Sequence, residues 1–189
     1  MKKENLLIMS VLVFWVMAMP GCNDGGVIPP SLPDYMLSSA KVFGVAVAGS
    51  PIVGVVSLKD SNGIVIGPKN IEKDGTFMFD VKGLKAPFYL RAEGRVGSTN
   101  YRLYSAAVST GIANISPISS ITVWLAAGGD DPAKLFDSPV PRPLDQATLD
   151  KAVADVMAMI KPMMDAYSAY GTDPIRDFYT GNAKRDLPD

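Results

Sequence analysis

The stretch GIVIGPKNIEKDGTFMFDV, Gly63 to Val81, decides the fold class of this chain. Ile64, Val65 and Ile66 are β-branched and open an extended run, which Gly67-Pro68 is expected to end. Lys73-Asp74-Gly75 follows as a turn, with glycine supplying the backbone freedom that reversal needs. From Thr76 the residues alternate. Phe77, Phe79 and Val81 fall on one face of a strand, and Thr76, Met78 and Asp80 on the other. One face is therefore built for burial, and each large apolar side chain placed there contributes roughly 1.5–3 kcal/mol.

The same pattern extends in both directions. AKVFGVAVAG (Ala40–Gly49) and PIVGVVSLKD (Pro51–Asp60) read as strands, and Asp60-Ser61-Asn62-Gly63 as the turn after them. In the first, Val42, Gly44, Ala46 and Ala48 share one side, and Phe43, Val45 and Val47 the other. APFYLRAEG (Ala86–Gly94) and NYRLYSAAVS (Asn100–Ser109) add two more, linked by Arg95 to Thr99. Six or seven short strands separated by turns predict an antiparallel β-sandwich.

Beyond Gly111 the signals are helical. Ser116-Pro117 is a cap followed by a first-turn proline. Ile118, Ile121, Thr122 and Leu125 fall at helical spacing before Gly128-Gly129. Asp131-Pro132 opens a short helical turn through Phe136. Asp145 starts the strongest helix, whose stripe is Leu149, Val153, Val156, Ile160, Met163 and Tyr167. Pro162 lies inside that stripe and is expected to kink the helix or end it.

The opening residues read differently. Lys2 and Lys3 precede about 14 mostly apolar residues, Leu6 to Met19, too short a run for the ~20 residues that span a bilayer. That is a secretory signal. Pro20-Gly21-Cys22 follows at once and resembles the lipobox of bacterial lipoproteins, with Met19 and Pro20 where that pattern has Leu and then Ala or Ser. The resemblance implies acylation of Cys22, which is the chain's single cysteine. No disulfide can then form, so the fold must rest on its core. NDGGVIPPSLPD (Asn23–Asp34) reads as a tether. Asn23 stands where an Asp, in such lipoproteins, tends to retain the protein in the inner membrane, so the outer membrane is favoured.

Composition narrows the chemistry. There is no histidine, which removes Ser-His-Asp and Cys-His catalysis and imidazole metal sites. Without Lys2, Lys3 and Glu4 the 18 basic and 19 acidic residues leave a net charge of −2, which carries no nucleic-acid footprint.

Two further resemblances concern the body of the chain. Pro51, Asp60, Gly63, Asp74, Gly75, Phe77, Phe79, Tyr89, Leu90, Arg91, Ala92 and Gly94 resemble the pattern of the carboxypeptidase regulatory-like domain, over roughly residues 41–109. That resemblance implies a transthyretin-like, Ig-like β-sandwich and an accessory role without catalytic residues of its own. Asn114-Ile115-Ser116-Pro117-Ile118-Ser119 resembles a stretch that follows such sandwiches in many bacterial lipoproteins.

The expected organisation is a signal peptide (1–21), a lipidated tether (22–37), a sandwich (38–110) and a helical region (111–189). The long helix's stripe outruns the residues visible to cover it, as in an incomplete domain. The expected function is a cell-envelope lipoprotein, held to the membrane through Cys22, whose sandwich binds or assembles with a protein or glycan. No catalysis, cofactor, metal or nucleic-acid partner is expected, and no ligand-binding residue is singled out. The alternative is an accessory or truncated chain of a secreted hydrolase acting on polysaccharide or peptide.

Several candidate sites have simpler readings. Asp60-Ser61-Asn62-Gly63 begins like a calcium loop but lacks the later ligands, so it is a hairpin turn. Asp130-Asp131 could meet a cation, but capping explains Asp131. Glu72 and Glu93 are expected to be solvated. Met157, Met159, Met163 and Met164 suit a partner surface or core packing. Tyr101, Tyr104, Trp124, Tyr167 and Tyr170 could line a groove or fill core.

Overall fold

The computed structural model describes residues 40–139, 141, 143–166 and 173–177. The expected signal peptide, Cys22 and tether lie outside the described residues, as do Tyr167 and Tyr170. Seven strands come first: β1 (Lys41–Val45), β2 (Val53–Lys59), β3 (Val65–Asn70), β4 (Thr76–Asp80), β5 (Phe88–Val96), β6 (Thr99–Ala107) and β7 (Gly111–Ile112). Three helices follow: α1 (Pro117–Ala126), α2 (Pro132–Asp137) and α3 (Gln146–Ala166). The strands form a three-stranded sheet, β4-β1-β7, and a four-stranded sheet, β3-β2-β5-β6. All pairs are antiparallel except β1 with β7. This is the expected mainly-β sandwich followed by helices.

The decisive alternation holds. Phe77, Phe79 and Val81 are buried in the inter-sheet core with Val42, Val56, Leu58, Leu90 and Ala92. The two phenylalanine rings lie 6.3 Å apart at a tilt of 58°, a favourable arrangement for aromatic pairs. Gly75 (φ +89°) donates its N–H to the Glu72 carbonyl and closes the turn that passes the chain from one sheet to the other.

Three local expectations are corrected. Gly67-Pro68 does not end its strand: β3 continues to Asn70. Val56 pairs with Lys69 and Leu58 with Ile66, so Gly67 and Pro68 together oppose Ser57 in a bulge. An edge strand tolerates a proline there because no second ladder needs its N–H. The β5–β6 link is Gly97-Ser98 alone, since the pairing runs out to Val96 with Thr99. In α1 the buried positions are Ser119, Thr122, Val123 and Ala126, while Ile121 is exposed.

That rotation of α1 has a cause in its hydroxyls. The outward N–H of Tyr104 donates to Ser120 Oγ at 2.8 Å, and its carbonyl accepts from Ser119 Oγ at 2.8 Å. Small hydroxyl residues let α1 lie close to β6 and satisfy its free edge. The opposite side of the sandwich is closed by Lys69, whose Nζ donates across to the Met78 carbonyl at 3.2 Å.

The Asn114–Ser119 stretch is the joint between sandwich and helices. Ser116 caps α1 and exchanges hydrogen bonds with Ser119, and Pro117 occupies its first turn. Asn114 is buried. Its Oδ1 accepts from Val45 N–H at 3.1 Å, and its Nδ2 donates to the Asp177 carbonyl at 2.5 Å. Its own N–H donates to the Ile175 carbonyl.

The helices form a third layer on the outer face of the four-stranded sheet. Tyr89, Tyr104 and Ala106 pack there against Val123, Phe136, Leu149 and Ile175. Along α3, Leu149, Val153 and Val156 are buried as the stripe requires. Ile160 is half-buried, and Met163 is 54% exposed. Pro162 neither ends the helix nor lies in the core: it is exposed, and α3 runs on to Ala166.

Candidate functional site

The outer face of the four-stranded sheet carries three cross-strand rows. Register places Lys59, Tyr89 and Ala106 in one, Ser57, Arg91 and Tyr104 in the next, and Val55, Glu93 and Arg102 in the third. Alternation along β2, β5 and β6 therefore brings a lysine, two arginines, two tyrosines and a glutamate to one surface. The helix layer covers the first two rows.

Lys59 is only 3% exposed, although it is a lysine at the end of a strand. Its Nζ donates to the Phe136 carbonyl at 2.6 Å and to the Ser138 carbonyl. Burial holds its ammonium below the usual lysine range, partly opposed by the Asp137 carboxylate nearby. Arg91 stacks over the Phe136 ring at 4.4 Å and pairs through Nη1 with Asp137 Oδ1 at 2.9 Å. Its Nε lies 3.2 Å from Glu93, which also accepts from Arg102 Nε at 2.8 Å. The C-terminal end of α2 is thus held both by cations of the sheet and by the burial of Leu135 and Phe136 beneath it.

The tyrosines are perturbed too. Burial pushes the Tyr89 phenol up to about 12, against the opposing effect of the Leu144 N–H that donates to it. Burial also raises Tyr104, which is 7% exposed and whose Oη has no hydrogen-bond partner.

A second feature is a cleft of about 220 Å³ where the β6–β7 connection meets the start of α3. Leu149, Ile175 and Ala106 form apolar wall, and Ser109, Thr110 and Gln146 polar wall. Arg176 stands beside it, bound to Asp150 at 2.7 Å and Asp173 at 2.8 Å. The volume is below the roughly 300–1,000 Å³ of ordinary ligand pockets.

A third feature is apolar exposure. Trp124 is 44% exposed, with Ile121 three residues before it on α1. Met159 and Met163 are exposed four residues apart on α3. Each pair shares one helix face, and α1 and α3 pack against each other.

The sequence-derived candidates are dispersed. Asp60 is buried and serves its turn, accepting from the N–H groups of Asn62, Ile64 and Lys85. Asp131 caps α2 by accepting from Ala133 N–H. Glu72 lies in the β3–β4 turn. Glu93 is half-buried and ion-paired rather than solvated. Tyr104 is core beneath the helices, and Tyr101 packs against the inter-sheet core. Among the described residues, no three His, Cys, Asp or Glu side chains stand close enough to hold a metal ion. Among them, too, no helix is long and apolar enough to cross a membrane.

The Lys59–Arg91–Tyr104 cluster was not foreseen. Its signal was present in part, since Tyr89, Arg91 and Glu93 alternate and must share a face. Nothing local put Lys59 beside them. Comparison with family models, with curated proteins and with solved structures finds no match to this chain.

Proposed function

We propose that this chain is a cell-envelope lipoprotein, anchored through acylated Cys22, whose sandwich and helix layer form a binding or assembly module for an envelope protein or glycan. The membrane half of this reading is supported by the short apolar leader and the single cysteine that follows it directly. The resemblance to carboxypeptidase regulatory-like domains supports an accessory, non-catalytic role. The observation that carries the binding half is the apolar exposure on the helix layer, where Trp124, Ile121, Met159 and Met163 face solvent. Aromatic and methionine side chains of this kind are characteristic of interface anchors, and adaptable methionine suits varied partners.

Two experiments separate the halves. Cys22→Ser is expected to move the protein from the membrane fraction to the soluble one, and unchanged partition would reject the anchor. For binding, the mature protein is compared with a variant carrying serine at 121, 124, 159 and 163 in capture from envelope extract. The expected result is a discrete partner held by the native surface and lost by the variant at unchanged melting temperature. Equal capture by both would reject this surface as the site.

A further inference from the structure

We propose that the surface beneath α2 is a binding site for a small oxyanion, a phosphate or carboxylate group, and that α2 is the flap that closes it. The argument starts from what α2 presents to the sheet. Lys59 and Arg91 stand on adjacent rows of one face, one strand apart. Among the described residues, the groups by which the end of α2 bonds to these two side chains are acceptor oxygens. These are the Phe136 and Ser138 carbonyls on Lys59 and the Asp137 carboxylate on Arg91. A helix's C-terminal end also carries the negative end of its dipole. The flap therefore occupies the cations as an oxyanion would.

Tyr104 supplies the independent observation. It lies directly opposite Arg91 on the same face, more than nine-tenths buried, and its hydroxyl has no acceptor. A buried donor without a partner costs free energy that nothing in the closed arrangement returns. An additional oxygen, brought by a ligand, would satisfy it. Buried polar groups that break the local rule are expected where a site is kept for function.

Lifting α2 exposes Leu135 and Phe136, which are buried against the sheet, so the open form is a minor population of a short helix on a glycine hinge. α2 has six residues and follows Gly128 and Gly129, both at positive φ (+73° and +89°). The charged groups facing the site from all packed elements are Lys59 of β2, Arg91 and Glu93 of β5, Arg102 of β6, and Asp131 and Asp137 beside and on α2. When α2 lifts, Asp137 leaves with it and the remaining balance at the sheet is cationic. The ligand thus competes with Asp137, and the apparent affinity is set by the fraction of molecules whose flap is open.

The test is titration of the full chain with inorganic phosphate, and separately with acetate, followed by calorimetry at ionic strength fixed with sodium chloride. Acetate and phosphate distinguish a carboxylate site from a phosphate site. The expected result is saturable single-site binding of one of them, accompanied by faster amide exchange over residues 132–137. Asp137→Asn should tighten it by about tenfold, since the competing carboxylate is removed. Arg91→Gln should abolish it. Tyr104→Phe removes a buried hydroxyl that makes no hydrogen bond, so it should hold or raise the melting temperature while weakening binding by about tenfold. The proposal is overturned if neither anion saturates, if Asp137→Asn binds as the native chain does, or if a stably folded Tyr104→Phe loses no affinity.

Discussion

Asn114→Ala should loosen the joint between the sandwich and everything after it. The side chain is 1% exposed and serves two elements far apart in sequence. Removing it takes the acceptor from Val45 N–H, which is buried in β1 beside the core. A buried donor left unsatisfied costs about 1–3 kcal/mol. The donor to the Asp177 carbonyl is lost as well, but that carbonyl is only partly buried and can turn to water. Its net loss is about 0.5–1.5 kcal/mol. The sum, about 1.5–4.5 kcal/mol, corresponds to a fall of roughly 3–18 °C in melting temperature for a chain of this size. Urea denaturation should show the midpoint shift with an unchanged slope, because no new surface is exposed. Amide exchange should accelerate at Val45 and at Ile175 together. Asn114→Asp keeps the acceptor for Val45 and should retain protection at Val45 while losing the tie to Asp177. A destabilisation below about 0.5 kcal/mol, or faster exchange at neither amide, would refute the assignment of Asn114 as the joint.

Other outcomes follow from the packing. Phe79→Ala should cost about 3–5 kcal/mol in denaturant unfolding, since Phe79 is fully buried between the sheets, and an unchanged midpoint would overturn the sandwich core. Gly94→Ala should cost at least about 1–3 kcal/mol, because its Cβ would lie 2.5 Å from the Val53 carbonyl oxygen and 2.7 Å from Ile52; native stability would show that β2 and β5 do not approach so closely. Alkaline titration should reveal Tyr89. Its folded pKa is raised from 10.0 to about 12, so the unfolded chain ionises first. Its contribution is intact below pH 10 and is lost between pH 10 and 12, up to about 2–3 kcal/mol. Tyr104 acts with the same sign, and Lys59, whose pKa is lowered, with the opposite one. The pH dependence of Tyr89→Phe should therefore be flatter above pH 10, and an identical alkaline limb in the two proteins would refute the burial of this phenol.

The sequence by itself determined which residues share the buried face of a strand. Period-2 alternation is a local property, so Phe77, Phe79 and Val81 could be assigned to one face without knowing what covers it. Turn and cap chemistry is equally local, which is why Asp74-Gly75, Ser116-Pro117 and Asp131-Pro132 act as their residue types require. Gly67-Pro68 misled because a proline ends an inner strand but not an edge strand, and edge position is a matter of sheet order. The stripe of α1 was misplaced for a related reason. Serine hydroxyls, not isoleucines, face β6, because a free strand edge needs hydrogen-bond partners more than it needs apolar cover. Only the tertiary structure decided the rest. The burial of Lys59, the pairing of Arg91 with Asp137 and the orphaned hydroxyl of Tyr104 depend on strand register and on where a six-residue helix comes to lie. Those contacts join residues dozens of positions apart, and no local periodicity encodes such distances.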